Sequence, residues 1–494
     1  MSLRHVANIV GLLQVFIALA MVVTGVVALM YGDGDALPIF ASAVVTFAAG
    51  VTTYRLTRLE SDLTHREGYA IVTFAWAGTA VFGALPYLFA GVTASPAAAL
   101  FESMSGFTTT GATIFTDIEA LPHGILFWRS FTHWLGGMGI IVLAIAVLPF
   151  LGVGGMQLFQ AEVPGPTPER LRPRITQTAK LLWLVYLGLT VAQSGLYLLG
   201  GMSLFDSVTH TFSTLATGGF STKNASMAGF ESPYIHWVTI AFMYLAGVNF
   251  SLHFRAVTGR LEYFRDHEWR FYTGVVLGSA VLVAAINLAS GSYLLNGPGL
   301  EAAARDALFQ ATSLTTTTGF VTADYELWLP SSQCILFALM FVGGMAGSTG
   351  GSMKAVRVLL LLKHTAIQLR KHLHPRAIVL ARVGRRVVSE DVMANIVGFV
   401  ILYFLLLLAG AVAMSFLGMD LVTAFSASVA TVGNVGPGLG DVGPTDNYGW
   451  MSAPAMVILS FLMLVGRLEI YTVLLLLHPE TWKRRGASRR LPSR

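Results

Sequence analysis

The chain has 494 residues, 54% hydrophobic and only 12% charged, with a mean hydropathy of +0.67 and a net charge of +5. A typical soluble protein is about 25% charged, so this composition excludes a soluble globular domain and indicates a polytopic membrane protein. The basic excess is placed for membrane topology and excludes nucleic-acid binding, and a lone cysteine, Cys334, read as a packing residue, excludes an intrachain disulfide.

The first apolar run, 6–30, is too long for a signal-peptide core and reads as a true span, followed by a short acidic turn and a second span at 36–54. A third span covers 69–91. The segment 95–107 is too short to cross and runs into a Thr-Gly loop, FTTTGAT at 107–113, after which 124–151 returns. This unit of helix, half-helix, loop and helix recurs three times: 178–201, 204–215 and 234–254 around STLATGGFST (213–222); 271–289, 302–314 and 332–342 around SLTTTTGFVT (313–322); and 392–417, 421–429 and 453–477 around SVATVGNVGPG (428–438). The expected fold class is therefore an all-α polytopic membrane protein of ten spanning helices, with four pseudo-repeats around a central pore and two extra N-terminal helices. The boundaries read 1–66 for the N-terminal pair, then 67–165, 166–265, 266–388 and 389–494 for the four repeats. A repeat this long is the first feature to settle in such a chain.

Aligned on Thr-Gly, Ala-Thr-Gly and Thr-Val-Gly, the repeated loops pair Thr110-Gly111, Thr217-Gly218, Thr318-Gly319 and Val432-Gly433. Glycine allows backbone angles closed to other residues, so such loops can turn carbonyl oxygens toward one axis and replace an ion's hydration shell. Close helix packing is the alternative for any single loop. Non-helical backbone at membrane depth is tolerated only where protein buries it or it lines a water-filled path. Ser95, Asp206, Asp306 and Asp420 mark the starts of the half-helices, either as caps or as acids at the positive helix ends, so that the partly negative ends face the ion path.

All but four of the 31 Lys and Arg fall in alternate connections, which by the positive-inside rule makes both termini cytoplasmic and opens the loops to the outside. The outer connections carry Asp33, Asp35, Asp117, Glu119, Glu231, Asp324, Glu326, Asp441 and Asp446. These acids either concentrate cations at a mouth or are ordinary loop charges. The four exceptions are Arg129, Lys223, Arg305 and Arg467. Arg467 sits mid-span, where it either faces the pore or pairs with carbonyls freed by a broken helix.

That break is the run of Gly343, Gly344, Gly347, Gly350 and Gly351 within 343–351. A helix does not survive this density, at about 1 kcal/mol per glycine, and the run reads as a mobile gate under the loops or a static kink. It lacks the Gly-Lys-Ser/Thr of a phosphate loop, since Lys354 follows Met353. Glu162, Asp206 and His210 show no metal-ligand spacing, so no enzyme and no bound cofactor is expected. The basic stretch from Lys354 to Arg386, with the tail from Lys483, suits either a protein partner or anionic lipid.

Together the four loops, the glycine run and the arginine of the last helix resemble the Trk/Ktr/HKT superfamily, and the two extra N-terminal helices match its TrkH-type potassium-uptake branch. The resemblance spans essentially the whole chain. It implies a bacterial inner-membrane K+ channel or transporter subunit, a pseudo-tetrameric filter at the four aligned glycines, gating by 343–351 and Arg467, a homodimer, and a cytosolic TrkA-type regulatory subunit binding NAD or ATP. The resemblance also makes K+ the expected transported ion. The loops depart from the TVGYG pattern of potassium channels, which implies a short filter of modest selectivity. A sodium-permeable or Na+-coupled symporter of the same superfamily is the alternative, and glycine rather than serine in the first loop favours potassium.

Overall fold

The computed structural model describes residues 3–57, 65–139, 175–375, 382–383 and 386–482. Among the described residues the architecture is all-helical, apart from one antiparallel hairpin that pairs Arg382–Val383 with Arg386–Val387. Helices α1 (Leu3–Tyr31) and α2 (Ala36–Leu56) form the expected N-terminal hairpin. They cross closely at two facing glycines: a Cβ on Gly11 would lie 2.9 Å from the Gly50 oxygen and one on Gly50 2.8 Å from that of Gly11. Small residues permit such crossings where both helices are apolar all round.

The first repeat is α3 (His65–Gly83) with α4 (Leu85–Phe89), the half-helix α5 (Pro96–Phe107), and α6 (His123–Trp134), which ends in a π-turn at Leu135–Gly139. The rest of the returning span expected at 124–151 lies outside the described residues. The second repeat is α7 (Ile175–Leu199), half-helix α8 (Leu204–Leu215), α9 (Pro233–Ala246) and α10 (Phe250–Val257). The third is α11 (His267–Ala289), half-helix α12 (Gly297–Thr315), α13 (Pro330–Leu339) and α14 (Ala355–Leu373). The fourth is α15 (Glu390–Phe416), half-helix α16 (Leu421–Val432), α17 (Ala453–Arg467), α18 (Tyr471–Leu477) and the short α19 (Pro479–Trp482).

Among the described residues six helices are long and apolar enough to cross a membrane, and two bent pairs, α9–α10 at 103° and α17–α18 at 116°, raise this to eight. The other two of the ten expected spans are the first return, described only to residue 139, and the third return, split by its glycine run. The spans expected at 234–254 and 453–477 are thus each a bent pair of helices, not a single continuous one. The physical reason is visible at the breaks. A Cβ on Gly136 would come within 3.0 Å of the carbonyl oxygen of Phe107, the last residue of α5, and one on Gly466 within 3.0 Å of that of Val432, the last residue of α16. The fourth return bends where it passes the end of its own half-helix, Gly136 gives the first return the same close passage, and the second bends at Gly247, where a Cβ would meet the Tyr272 hydroxyl and the Thr316 methyl.

The half-helix starts are partly re-assigned. Ser95 and Asp420 cap as expected, accepting from Ala98 N (3.3 Å) and Val422 N (2.9 Å). In α8 the cap is Ser203, accepting from Asp206 N at 3.0 Å. In α12 it is Asn296, accepting from Gly299 N at 2.8 Å, so Asp306 lies mid-helix. Asp206 and Asp306 instead accept from equivalent threonines beyond each loop, Thr222 (2.6 Å) and Thr322 (3.2 Å).

Gly466→Ala is expected to destabilise the protein by about 1–3 kcal/mol through overpacking against α16. Gly188→Ala, in α7 with nothing within 4 Å of the added methyl, should be neutral or stabilising by up to about 1 kcal/mol. Thermal unfolding in detergent of the two variants against the parent protein measures both.

Candidate functional site: a ring of four loops

The four half-helices end in the same main-chain figure. The N–H groups of Thr109, Thr217, Thr317 and Asn434 reach back to the carbonyls of Gly106, Thr214, Leu314 and Thr431 (3.1, 3.0, 3.2 and 3.2 Å). Those of the next residues, Thr110, Gly218, Thr318 and Val435, reach Ser105, Ser213, Ser313 and Ala430 (2.9, 2.8, 2.8 and 2.8 Å). This is a Schellman cap, which needs a left-handed residue and normally takes glycine. Here the residues have φ of 53°, 55°, 60° and 53°, and three are β-branched threonines. Such backbone costs on the order of 1–3 kcal/mol per residue and persists only where its surroundings enforce it.

Beyond each cap comes a glycine with positive φ: Gly111 (82°), Gly219 (80°), Gly319 (78°) and Gly436 (97°). These glycines close a ring. A Cβ on Gly111 would come within 3.0 Å of the Gly218 oxygen, on Gly219 of the Thr318 oxygen, on Gly319 of the Val435 oxygen, and on Gly436 of the Thr110 oxygen. The loops thus follow one another around a single constriction, each laying a carbonyl against the next loop's glycine. Gly111, Gly219 and Gly319 are partly exposed between buried neighbours, which marks the opening.

The geometry corrects the register of two loops. Thr110-Gly111 and Thr318-Gly319 sit at equivalent ring positions, as aligned. In the second loop Thr217 is the left-handed cap residue and Gly218 the carbonyl donor to the ring; the ring glycine is Gly219. In the fourth, Val432 is the last helical residue and Gly433 its cap, so the ring glycine is Gly436. Both loops carry more than one glycine, and dipeptide matching chose the earlier. The available signal was Asn434, since Asn tolerates left-handed backbone better than other non-glycine residues.

Each neighbouring pair of loops is stitched. Between the first and second, Asn224 Oδ1 accepts from Ile118 N (2.6 Å). Between the second and third, Ala228 N donates to Val321 O (3.0 Å). Between the third and fourth, Tyr325 Oη donates to Gly438 O and Glu326 Oε1 accepts from Gly440 N (2.8 and 2.7 Å). Between the fourth and first, Tyr448 N donates to Thr113 O and Asn434 Nδ2 to Thr110 Oγ1 (2.8 and 3.0 Å). Several outer acids therefore hold loops: Asp33 accepts from His123 N (2.8 Å), Asp35 from Ile125 N (3.0 Å) and Asp117 from Asn224 Nδ2 (3.0 Å). Burial raises the Glu326 pKa above the usual carboxylate range, with Asp324, Asp446 and Asp441 adding to the rise against the Gly440 hydrogen bond.

The glycine run crosses on the half-helix side of this ring. Gly343 N donates to Met353 O and Met345 N to Gly247 O (2.8 Å each), with Gly344 packed on Gly247 and Gly347 (φ 80°) on Asn249. Thr349 Oγ1 donates to the oxygen of Leu215, the end of α8 (3.0 Å). Gly350 lies against the Thr316 oxygen and Gly351 against that of Gly433, while Gly351 N donates to Thr317 Oγ1 (2.7 Å). The run thus touches three half-helix ends. Arg467 reaches the fourth side: Nη1 donates to Thr349 O (2.8 Å) and Nη2 to Gly136 O (3.0 Å), and Gly136 packs on the end of α5.

Two charges expected on the basic cytoplasmic surface point inward instead. Lys354 Nζ donates to Gly350 O, and buried Arg357 pairs with Glu469. Glu469 and Ile470, both left-handed (φ 59° and 55°), form the break after Arg467. Sequence reasoning also missed a fully buried ion pair behind the ring, Glu102 with Arg129 (2.7 Å). Its signal was Glu102, a carboxylate inside an otherwise uncharged half-helix.

A family model described as a cation transport protein, TrkH, matches residues 37–483. The Trk system potassium uptake protein TrkH of Salmonella typhimurium is 41% identical over 488 residues, 98% of this chain and 100% of that protein. The Trk system potassium uptake protein TrkG of Escherichia coli K12 is 33% identical over 485 residues, 97% of this chain and 99% of that protein. The crystal structure of the potassium transporter TrkH from Vibrio parahaemolyticus aligns with a TM-score of 0.88 at 38% identity, covering 98% of this chain and 100% of that one.

Arg467→Ala removes the charge-assisted hydrogen bond to Thr349 O in the crossing loop and the one to Gly136 O in the first return, each worth about 1.5–3 kcal/mol. Amide exchange across 343–351, followed by mass spectrometry, should accelerate at least about tenfold; an unchanged rate would show that the other contacts alone hold the loop.

Proposed function

This chain belongs to the TrkH family of cation transport proteins, and on that premise we propose that it is the membrane subunit of a potassium-uptake system, conducting K+ through the ring of four loops. The carrying observation is the closure of the ring: four loops from one polypeptide, each with a carbonyl laid against the next glycine. Carbonyl rings of this kind replace the hydration shell of a monovalent cation. The ligating oxygens are those of Thr110, Gly218, Thr318 and Val435, and the ring glycines Gly111, Gly219, Gly319 and Gly436 leave room for them. The half-helices end at the ring, so the negative ends of their dipoles favour a cation there.

The glycine run with Arg467 is the gate in this reading, and its contacts to all four sides describe a shut state. Opening breaks the Arg467 and Thr349 hydrogen bonds and lets the run, whose glycines resist only weakly, swing aside. The positive charge of Arg467 then limits cation occupancy next to the ring. The division in this reading is an N-terminal pair (1–66) and four repeats (67–165, 166–265, 266–388, 389–494); α3 already begins at His65, and the 165/166 boundary lies outside the described residues. The remaining reading is a homodimer in the bacterial inner membrane, with both termini cytoplasmic and a cytosolic TrkA-type subunit supplying the nucleotide signal. The partner's docking face then starts beyond Arg357, at Arg370 and Lys371 on α14, because Lys354 and Arg357 point inward.

Rubidium uptake in a potassium-uptake-deficient strain tests the filter. Gly319→Ser should raise sodium permeation relative to potassium, and an unchanged ion preference would sink the assignment. The register adds a contrast. Gly436→Ala, which must hold φ 97° and meets the Thr110 oxygen, should abolish uptake, while Gly433→Ala, already in right-handed helical backbone, should keep most of it. Arg467→Ala should increase flux.

A further inference from the structure

Seven residues before the left-handed cap residues Thr109, Thr217, Thr317 and Asn434 stand Glu102, His210, Gln310 and Ala427. These positions lie behind the ring, one per quarter. Three are uncharged or weakly basic: His210 Nε2 pairs with Ser221 Oγ (2.9 Å), Gln310 Nε2 donates to Ala323 O (3.2 Å), and Ala427 carries no polar side chain. Only the first holds a carboxylate, and it comes with a buried arginine. Glu102 and Arg129 are 0% and 1% exposed at their side chains.

Nearly all their side-chain hydrogen bonds go to the loops just past the ring glycines. Glu102 accepts from the hydroxyl of Thr113 (3.1 Å) and from Ile114 N (2.9 Å), both in the first loop. Arg129 donates through Nε to Glu102 (2.7 Å), through Nη2 to Thr113 Oγ1 (3.0 Å), and through Nη1 to Ser221 O of the second loop (3.2 Å). Its guanidinium lies 4.2 Å from the ring centroid of Phe220, and the His133 ring stacks on Phe220 at 4.1 Å. Phe220 directly follows the ring glycine Gly219. A planar fork with several fixed donors suits this bridging, which an ammonium could not reproduce.

We propose that Glu102 and Arg129 form a specificity-determining strut, a pair of positioning residues that fixes the separation of the first and second loops and so sets which monovalent cation the ring accepts. A buried ion pair is weak evidence for stability, because desolvation offsets its attraction, and a role in fixing one geometry is the better-attested use. A carbonyl ring discriminates ions of similar charge by its dimensions and stiffness, and this strut braces one side of it. Arg129 also engages the Ser221 carbonyl, which fixes the direction in which the second loop leaves the ring. The proposal rests on the reading of the ring as the ion filter.

The test is the reversal potential of the full-length protein in liposomes under opposed K+ and Na+ gradients. That quantity reports ion preference and does not depend on how much protein is active, so a merely structural role would not move it. Arg129→Lys keeps the charge and loses the fork, and Glu102→Gln keeps the shape and loses the carboxylate. Each should raise the sodium-to-potassium permeability ratio about tenfold, the effect of losing about one charge-assisted hydrogen bond. The double variant Glu102→Gln/Arg129→Met, which leaves no buried charge, should fold at least as well as either single variant and show the same raised ratio. Arg305→Lys, paired with Glu301 and His236 away from the ring, should leave the potential at the parental value. A parental ratio in the folded Arg129 and Glu102 variants overturns the proposal, as does loss of folded protein from all three. Failure of the filter reading is separate: Gly319→Ser would then leave the potential unmoved, whereas failure of the strut alone leaves the Gly319→Ser shift intact.

Discussion

A carbonyl oxygen packed against a glycine, repeated four times around a circle, is the contact on which the rest of this structure depends. No side chain fits between successive loops, because a Cβ at Gly111, Gly219, Gly319 or Gly436 would overlap the neighbouring oxygen. The loops must therefore arrive at the circle with their backbones exposed to one another. That demands an abrupt stop to each half-helix, which the left-handed residues Thr109, Thr217, Thr317 and Asn434 provide. Their strain is supported by the paired Schellman hydrogen bonds and by complete burial of the half-helix ends. Three threonines in so unfavourable a conformation point to a function retained at the expense of stability.

The same crowding explains why the return helices break. A half-helix that ends inside the protein leaves free carbonyls at its terminus, and the returning chain must pass directly over them. Gly136 and Gly466 allow that close passage, and the helix of the fourth return breaks after Arg467, just beyond Gly466. Breaks in turn leave further carbonyls without helical partners. Arg467 binds two such groups, at Thr349 and Gly136, and Lys354 binds a third at Gly350. Among the described residues, Arg129, Lys354, Arg357 and Arg467 are thus satisfied by irregular backbone or by carboxylates, as a low-dielectric setting requires. The crossing loop is also coupled to the ring directly: Gly351 is tied to the cap residue Thr317 and lies against the cap of the fourth half-helix.

The four quarters share a backbone but differ behind it. A charged pair braces the first, a histidine the second, a glutamine the third, and tyrosine hydroxyls with Glu326 secure the exit of the fourth. A ring made from one chain can carry such asymmetry, whereas a ring of identical subunits cannot. Each quarter can then differ in what it contributes, with the third supplying the crossing loop and the fourth the arginine bonded to it.

Hydrophobic runs, the short half-helices and the recurring Thr-Gly loops were enough to specify an all-helical membrane protein of four repeats with two leading helices. Length and apolar composition decide which segments cross, and glycine with threonine marks where they cannot. The glycine run at 343–351 and the mid-span charge of Arg467 were legible for the same reason, since each violates what a spanning helix permits. Register was not legible. Gly218 against Gly219 and Gly433 against Gly436 differ only in which backbone turns left-handed, and that is settled by a neighbouring loop's carbonyl remote in sequence, Thr318 for Gly219 and Thr110 for Gly436. The bends after Ala246 and Arg467, the inward turn of Lys354 and Arg357, and the union of Glu102 with Arg129 were likewise decided by packing. Local sequence sets the periodicity and the breaking points of a helix, but which oxygen meets which donor depends on segments that only the folded chain brings together.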